Sequence, residues 1–68
     1  MKVRTVIRLL EEHGFHFVRQ RGSHRRFVGE VDGQTHYVTV AGKEGDEVSK
    51  PTLHAIRRQS GLPSDVFR

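Results

Sequence analysis

A chain of 68 residues has room for one small domain, and such a domain buries only about 60% of the surface that it exposes when unfolded. The absence of cysteine excludes disulfides and thiolate metal sites, and no stretch approaches the ~18 apolar residues of a membrane span. Lysine and arginine outnumber the acids by 12 to 8, and the net charge of +4 favours an anionic partner such as nucleic acid.

The first segment predicts a helix over residues 3–13. Apolar side chains recur there at helical spacing between Val3 and Leu10. Gly14 stands where a glycine commonly ends a helix, and Phe15 follows at the position that folds back on Leu10.

Alternating apolar and polar residues after Phe15 predict three antiparallel strands. We expect the second strand over residues 24–31 and the third over residues 34–40. Asp32 and Gly33 between them are a strong hairpin signal, because a type I′ turn needs positive φ at both central residues.

The register of the first hairpin decides which side chains are exposed. We predict a three-residue loop over residues 21–23, because a two-residue loop would turn the first phenylalanines away from the core. One face of the sheet can then lie against helices, and it carries Phe15, Phe17, Phe27, Val38 and Val40. The open face carries Gln20, His24, Arg26, Tyr37 and Thr39.

A second helix is predicted after an acidic, glycine-containing loop. Ser49 is a suitable N-cap, Pro51 suits the first turn, and Gly61 ends the helix. The short tail beyond it offers Phe67 as a last apolar anchor. The fold class is therefore α+β, an α-β-β-β-α domain over residues 1–68 with two helices on one face of a three-stranded antiparallel sheet. Double-stranded RNA-binding domains have this layout.

The basic turn in residues 19–27 is the candidate functional site. It holds four arginines and no acid, with Gly22 suited to the turn and Ser23 and His24 opening the next strand. Histidine takes and returns protons near neutral pH, and guanidinium groups bind phosphate well. The expected ligand is a phosphodiester, and His24 is the candidate catalytic group. The alternative is that His24 is a solvated strand residue without a catalytic role.

Other residues allow a functional and a purely structural interpretation. Tyr37 is either a strand former that shields the sheet or a platform on which a base stacks. Lys50 stands at a helix N-terminus, where phosphates dock, although such lysines are commonly just solvated. His13 and His16 straddle a helix end without a suitably spaced acid, so we expect no metal and no cofactor.

Four segments together carry a family resemblance. Residues 6–15 end in Gly-Phe, residues 21–27 read Arg-Gly-Ser-His-Arg-Arg-Phe, residues 37–40 read Tyr-Val-Thr-Val, and residues 50–61 contain Thr-Leu and end in Arg-Gln-Ser-Gly. In this order they resemble the HicA-type mRNA interferases, the toxins of toxin–antitoxin pairs. Two departures are Arg21 where lysine is common and Pro51 where glycine is common.

The resemblance implies the fold inferred above and metal-independent cleavage of mRNA, with His24 at the position of the family's catalytic histidine. Arg21, Arg26 and Lys50 are then expected to neutralise phosphate charge. Ser23, in the Gly22-Ser23 turn, would orient a phosphate oxygen or the histidine. A HicB-type antitoxin would be the protein partner that covers this site.

Two other classes of function stay open on the residues alone. One is a non-catalytic RNA-binding module that uses the basic turn only to hold a backbone. The other is a structural protein whose open sheet face docks another chain. We expect a cytoplasmic protein, because the first residues lack the apolar run of a signal peptide.

Overall fold

The computed structural model describes residues 1–67 and has the predicted order of helices and strands. The elements are α1 (Val3–Glu12), β1 (His16–Arg21), β2 (His24–Val31), β3 (Gln34–Ala41), α2 (Lys50–Ser60) and a 3-10 helix (Ser64–Phe67). The strands form one antiparallel sheet in the order β1-β2-β3, so the predicted α-β-β-β-α class is confirmed. Within residues 1–67, neither α-helix has the length and apolar composition needed to cross a bilayer.

The end of α1 follows from its sequence. Gly14 has a φ of 87°, and its N–H donates to the carbonyl of Glu11 at 3.1 Å. The N–H of Phe15 donates to the carbonyl of Leu10 at 2.9 Å. This pair of bonds is a Schellman motif, which satisfies two of the last carbonyls of the helix and turns Phe15 back toward the core.

The start of α1 depends on the acidic loop between β3 and α2. No side chain of residues 1–67 caps this end, and the N–H groups of Val3 and Arg4 donate to the carbonyls of Asp46 and Glu44, at 2.9 and 3.0 Å. The carboxylate of Glu44 accepts a hydrogen bond from Arg25 at 3.4 Å. Because of these bonds, the loop packs against the helix and not over the open face of the sheet.

The second hairpin agrees with the prediction. Asp32 and Gly33 have φ values of 53° and 78°, as a type I′ turn requires. Phe27 of β2 pairs with Val38 of β3, and both are buried. The turn chemistry therefore determined the pairing of β2 with β3.

The first hairpin differs from the prediction near its turn. Arg21 pairs with His24, which leaves a two-residue turn, Gly22-Ser23, where a three-residue loop was predicted. Gly22 has a φ of 59°, a conformation that glycine adopts without steric cost. The shorter turn shifts the pairing of the last residues of β1 by one position.

A β-bulge compensates for the shorter turn. The register shifts at Val18, which lies between the Phe17–Phe27 and Arg19–Arg26 pairs. The extra residue in β1 keeps Phe17 on the helix side of the sheet, as predicted, while the residues beyond the bulge change sides.

Gln20 is consequently not on the open face, and that prediction is wrong. It pairs with Arg25, which lies on the helix side because it alternates with Arg26. Arg19 and Arg21 take its place on the open face. The bulge and the shorter turn therefore place two cations on the surface that presents His24.

The core lies between the helices and one face of the sheet. Its buried apolar side chains are Val3, Val6, Leu10, Phe15, Phe27, Val38, Val40, Ile56 and Phe67. Gly29 is part of this packing, because a Cβ at this residue would lie 2.7 Å from the ring of Phe15.

The prediction that Phe17 is in the core is wrong: its side chain is 53% exposed. The helices pack mainly against β3 and leave β1 uncovered, and Phe17 keeps an edge-on contact with Phe27 at 6.0 Å between ring centroids.

The two edges of the sheet have different environments. On the β3 edge, the side-chain oxygen of Gln59 accepts the N–H of Thr39 at 3.2 Å, and its carbonyl accepts a hydrogen bond from Nδ1 of His36 at 3.0 Å. Gly61 makes room for this ring, since a Cβ there would lie 2.5 Å from it. Within residues 1–67, the outer edge of β1 has no strand neighbour, and all six residues of β1 are exposed. β1 is therefore the free edge of the sheet.

Candidate functional site

A shallow basic pocket lies on the open face, at the end of the sheet that holds the β1–β2 turn. It has a volume of about 240 Å³ and is lined by Arg19, Arg21, His24, Arg26 and Thr39. These side chains share one face because residues opposite each other in an antiparallel pair point to the same side. The pairs are Arg19–Arg26, Arg21–His24 and Arg26–Thr39.

Within residues 1–67, no carboxylate forms an ion pair with the cations of the basic pocket. Within residues 1–67, the side-chain carboxylates in ion pairs are those of Glu47, with the N-terminal amine, and Glu44, with Arg25. Like charges directly opposite each other destabilise a sheet, and Arg19 faces Arg26 in this way. An anion bound between them would relieve the repulsion, so the pocket suits a phosphate group.

His24 is exposed at the first position of β2. Arg21 lies opposite it on β1 and the small side chain of Ala41 lies opposite it on β3. Among residues 1–67, no hydrogen bond engages its ring, so a bound ligand can reach both ring nitrogens. The fold thus places a group that can transfer protons beside groups that can neutralise a phosphate.

Tyr37 adjoins the basic pocket without lining it. The guanidinium carbon of Arg26 lies 5.0 Å from the centroid of the tyrosine ring, in the range of a cation–π contact. The contact restrains Arg26 beside the pocket, and the tyrosine remains 52% exposed. Tyr37 can therefore support Arg26 and still offer part of its ring to a base.

Other residues selected from the sequence lie outside the basic pocket. Gly22 and Ser23 form the turn next to His24, and the carbonyl of Ser23 accepts the N–H of Gly42 at 3.1 Å. Lys50 is the exposed first residue of α2 and is not among the residues that line the pocket. The structure therefore groups His24 with arginines more closely than with the serine or the lysine.

Sequence reasoning placed Arg19 in the basic turn but gave it no individual role, and it did not select Thr39 as a site residue. Arg19 enters the pocket because the bulge at Val18 brings it opposite Arg26. Thr39 was expected on the open face, and its main chain is held by Gln59 of α2. The pairing of Arg26 with Thr39 across the second hairpin was a signal that could have identified Thr39.

Side chains that could hold a metal are dispersed over the described part of the chain. Among residues 1–67, no group of three or more histidine, aspartate or glutamate residues has a metal-binding arrangement. Two histidines contact main-chain carbonyls of the helices: His13 contacts Leu9 at 2.8 Å, and His36 contacts Gln59.

Comparison with known families supports the resemblance seen in the four sequence segments. The model of the HicA toxin of bacterial toxin–antitoxin systems matches residues 3–62. A search of curated proteins finds no match. The matched range begins with α1 and continues through all three strands and α2, so it contains the whole basic pocket. A match over this much of a 68-residue chain shows that the protein belongs to the HicA toxin family of toxin–antitoxin systems.

Proposed function

We propose that this chain is the endoribonuclease toxin of a type II toxin–antitoxin system and that it cleaves mRNA without a metal. The observation that carries the proposal is the exposed imidazole of His24 among three arginines that no acid neutralises within residues 1–67. Membership of the HicA family supports the role as a toxin. Because the proposed substrate is mRNA, the proposed place of action is the cytoplasm.

The proposed reaction begins with attack of a ribose 2′-hydroxyl on the adjacent phosphorus. Neutral His24 accepts the proton of this hydroxyl as the new P–O bond forms. The bond from phosphorus to the 5′ oxygen of the next nucleotide then breaks. Since the pocket is shallow and open, solvent supplies the proton that the departing oxygen takes up.

The arginines stabilise negative charge in this reaction. Arg19, Arg21 and Arg26 surround the position of the phosphate, and their guanidinium groups remain charged at any physiological pH. Charge that develops on the phosphorane is stabilised by cations already in place. Ser23 and Lys50 lie outside the basic pocket; Ser23 is proposed to orient a phosphate oxygen or the histidine, and Lys50 to neutralise phosphate charge.

Incubation of the purified protein with an end-labelled mRNA transcript in excess EDTA is expected to give discrete shorter fragments, because the reacting groups are side chains. A non-catalytic RNA-binding module is the alternative function. It would retard the same transcript in a salt-dependent way and create no new ends. A transcript that is bound but stays intact would favour that alternative.

The free edge of β1 supports the partner in this proposal, a protein antitoxin of HicB type. Phe17 and Val18 are 53% and 48% exposed along β1, whose outer edge has no strand neighbour in the described part of the chain. An acidic strand from the antitoxin could pair with β1, cover these apolar side chains and neutralise Arg19 and Arg21. Since these arginines line the basic pocket, pairing of this kind would also block access of RNA.

Replacing Phe17 with alanine is expected to weaken the complex with the cognate antitoxin by about tenfold or more, since burial of a phenylalanine contributes roughly 1.5–3 kcal/mol. RNA cleavage should stay within about twofold of the parental rate, because Phe17 lies on the side of the sheet opposite the pocket. Titration calorimetry measures the affinity, with His54→Ala on α2 as an exposed control. Unchanged affinity of the Phe17 variant would place the antitoxin elsewhere.

A further inference from the structure

A second groove lies on the open face, at the end of the sheet away from His24. It has a volume of about 380 Å³ and is lined by Gly14, His16, Val28, Gly29, Glu30 and Thr35. Val28 and Glu30 lie on the same side of β2 as His24 and Arg26, because alternate residues of a strand share a face. Between the two depressions lies Tyr37, which pairs with Val28 and contacts Arg26. The basic pocket and this groove are therefore parts of one continuous surface.

The residues that line the groove suit a planar group. β1 begins at His16, which pairs with Val28, so the groove opens where β2 continues past the end of β1. Gly14 presents no side chain there, and a Cβ at this residue would meet nothing within 4 Å. Val28 supplies an apolar wall and His16 a flat ring. Glycine backbone and flat side chains allow the close approach that a ring needs.

The charge of the groove is opposite to that of the basic pocket. Glu30 is exposed, faces Thr35 across the β2–β3 pair, and forms no ion pair within residues 1–67. Its carboxylate would repel a phosphate and accept hydrogen bonds from donors. The groove therefore suits the base of a nucleotide and not its backbone.

We propose that this groove, called the base groove below, binds a guanine of the RNA whose scissile phosphate occupies the basic pocket. Guanine carries an N1–H and an exocyclic N2 amine side by side, which match the two oxygens of Glu30. Uracil has a single donor on this edge, and adenine and cytosine have an amine without an adjacent N–H. The inference rests on the proposed function, since it assumes that RNA lies across this face.

The spacing places the guanine beyond the scissile nucleotide. Arg26 and Glu30 are four residues apart on β2, which corresponds to about 14 Å along the strand. The RNA base between the scissile phosphate and the guanine would contact Tyr37, whose exposed ring offers a stacking surface. Cleavage would then occur at a constant distance from a guanine.

Binding can be tested separately from cleavage in a His24→Ala background. The probes are short oligouridylates that carry one guanosine, adenosine or inosine at the same position. Guanosine is expected to increase affinity about tenfold over adenosine, as a bidentate contact does, and inosine, which lacks the N2 amine, should be intermediate. Glu30→Gln should remove the preference for guanosine. Glu11→Gln, which makes the same change at an exposed residue of α1, should retain it.

Mapping of cleavage sites by the protein with His24 intact separates this inference from the nuclease itself. Cuts at a constant offset from guanines support both the base groove and the nuclease, provided that the offset is lost in Glu30→Gln and kept in Glu11→Gln. A preference for guanosine in binding without any cleavage would retain the base groove and reject the nuclease. Equal affinity for the guanosine and adenosine probes, or a preference that survives Glu30→Gln, overturns the inference even if the RNA is cut.

Discussion

Replacing His24 with alanine is expected to lower the rate of RNA cleavage by about 10²–10⁴-fold, the usual contribution of general acid–base catalysis. The ring is exposed and lies outside the core, so its removal should leave the fold and the antitoxin complex intact. The three arginines of the basic pocket remain, and binding of RNA should change far less than cleavage. The decay of a labelled transcript gives the rate, and a gel-shift assay gives the affinity.

The control for this substitution is His54→Ala, which removes an exposed imidazole from α2. This variant should cleave at the parental rate, and circular dichroism should show equal secondary structure in both variants. A His24→Ala protein that is folded and cleaves RNA at the parental rate would show that another group takes the proton.

The largest expected effect on stability comes from Phe15. Phe15→Ala should lower the free energy of unfolding by about 3–5 kcal/mol, because it removes a fully buried ring and leaves a cavity over Gly29. Domains of this length have a total stability of roughly 3–10 kcal/mol, so much of the variant should be unfolded at room temperature. Urea denaturation followed by circular dichroism measures the change.

The same substitution at Phe17 is the matched control. Phe17→Ala removes a half-exposed ring whose aromatic contact is with the edge of Phe27, so we expect a loss of about 1 kcal/mol or less. Equal losses at Phe15 and Phe17 would mean that the helices also cover the β1 edge. A large loss at Phe15 alone confirms that the core is displaced toward β3.

Much of the fold could be predicted because its signals are local. Gly14 and Phe15 end α1 through bonds to the preceding turn, and Asp32-Gly33 determines the pairing of β2 with β3. The exposure of His24 was also predicted correctly. The side of the sheet on which His24 lies depends on its alternation with Phe27 along β2, and not on the register or the bulge of β1.

The prediction of the site was incomplete because it treated β1 as a regular strand. The predicted loop was one residue too long and the bulge at Val18 was missed, and the two errors cancel at Phe17. Between the bulge and the turn they do not cancel, so Gln20 was assigned to the open face in place of Arg19, and Arg21 was assigned to the loop. A bulge leaves little trace in an alternating pattern when polar and apolar residues on an edge strand are equally exposed.

The sequence by itself determined the order of the elements, their turns and the face of β2 that presents His24, because hydrophobic alternation and glycine conformation act over a few residues. The tertiary structure decided which arginines surround that histidine and which edge of the sheet is free. α2 packs against β3, where Gln59 binds the main chain of Thr39, and β1 is left without cover. Contacts between segments so far apart in the chain depend on the packing of the whole core, which no local pattern encodes.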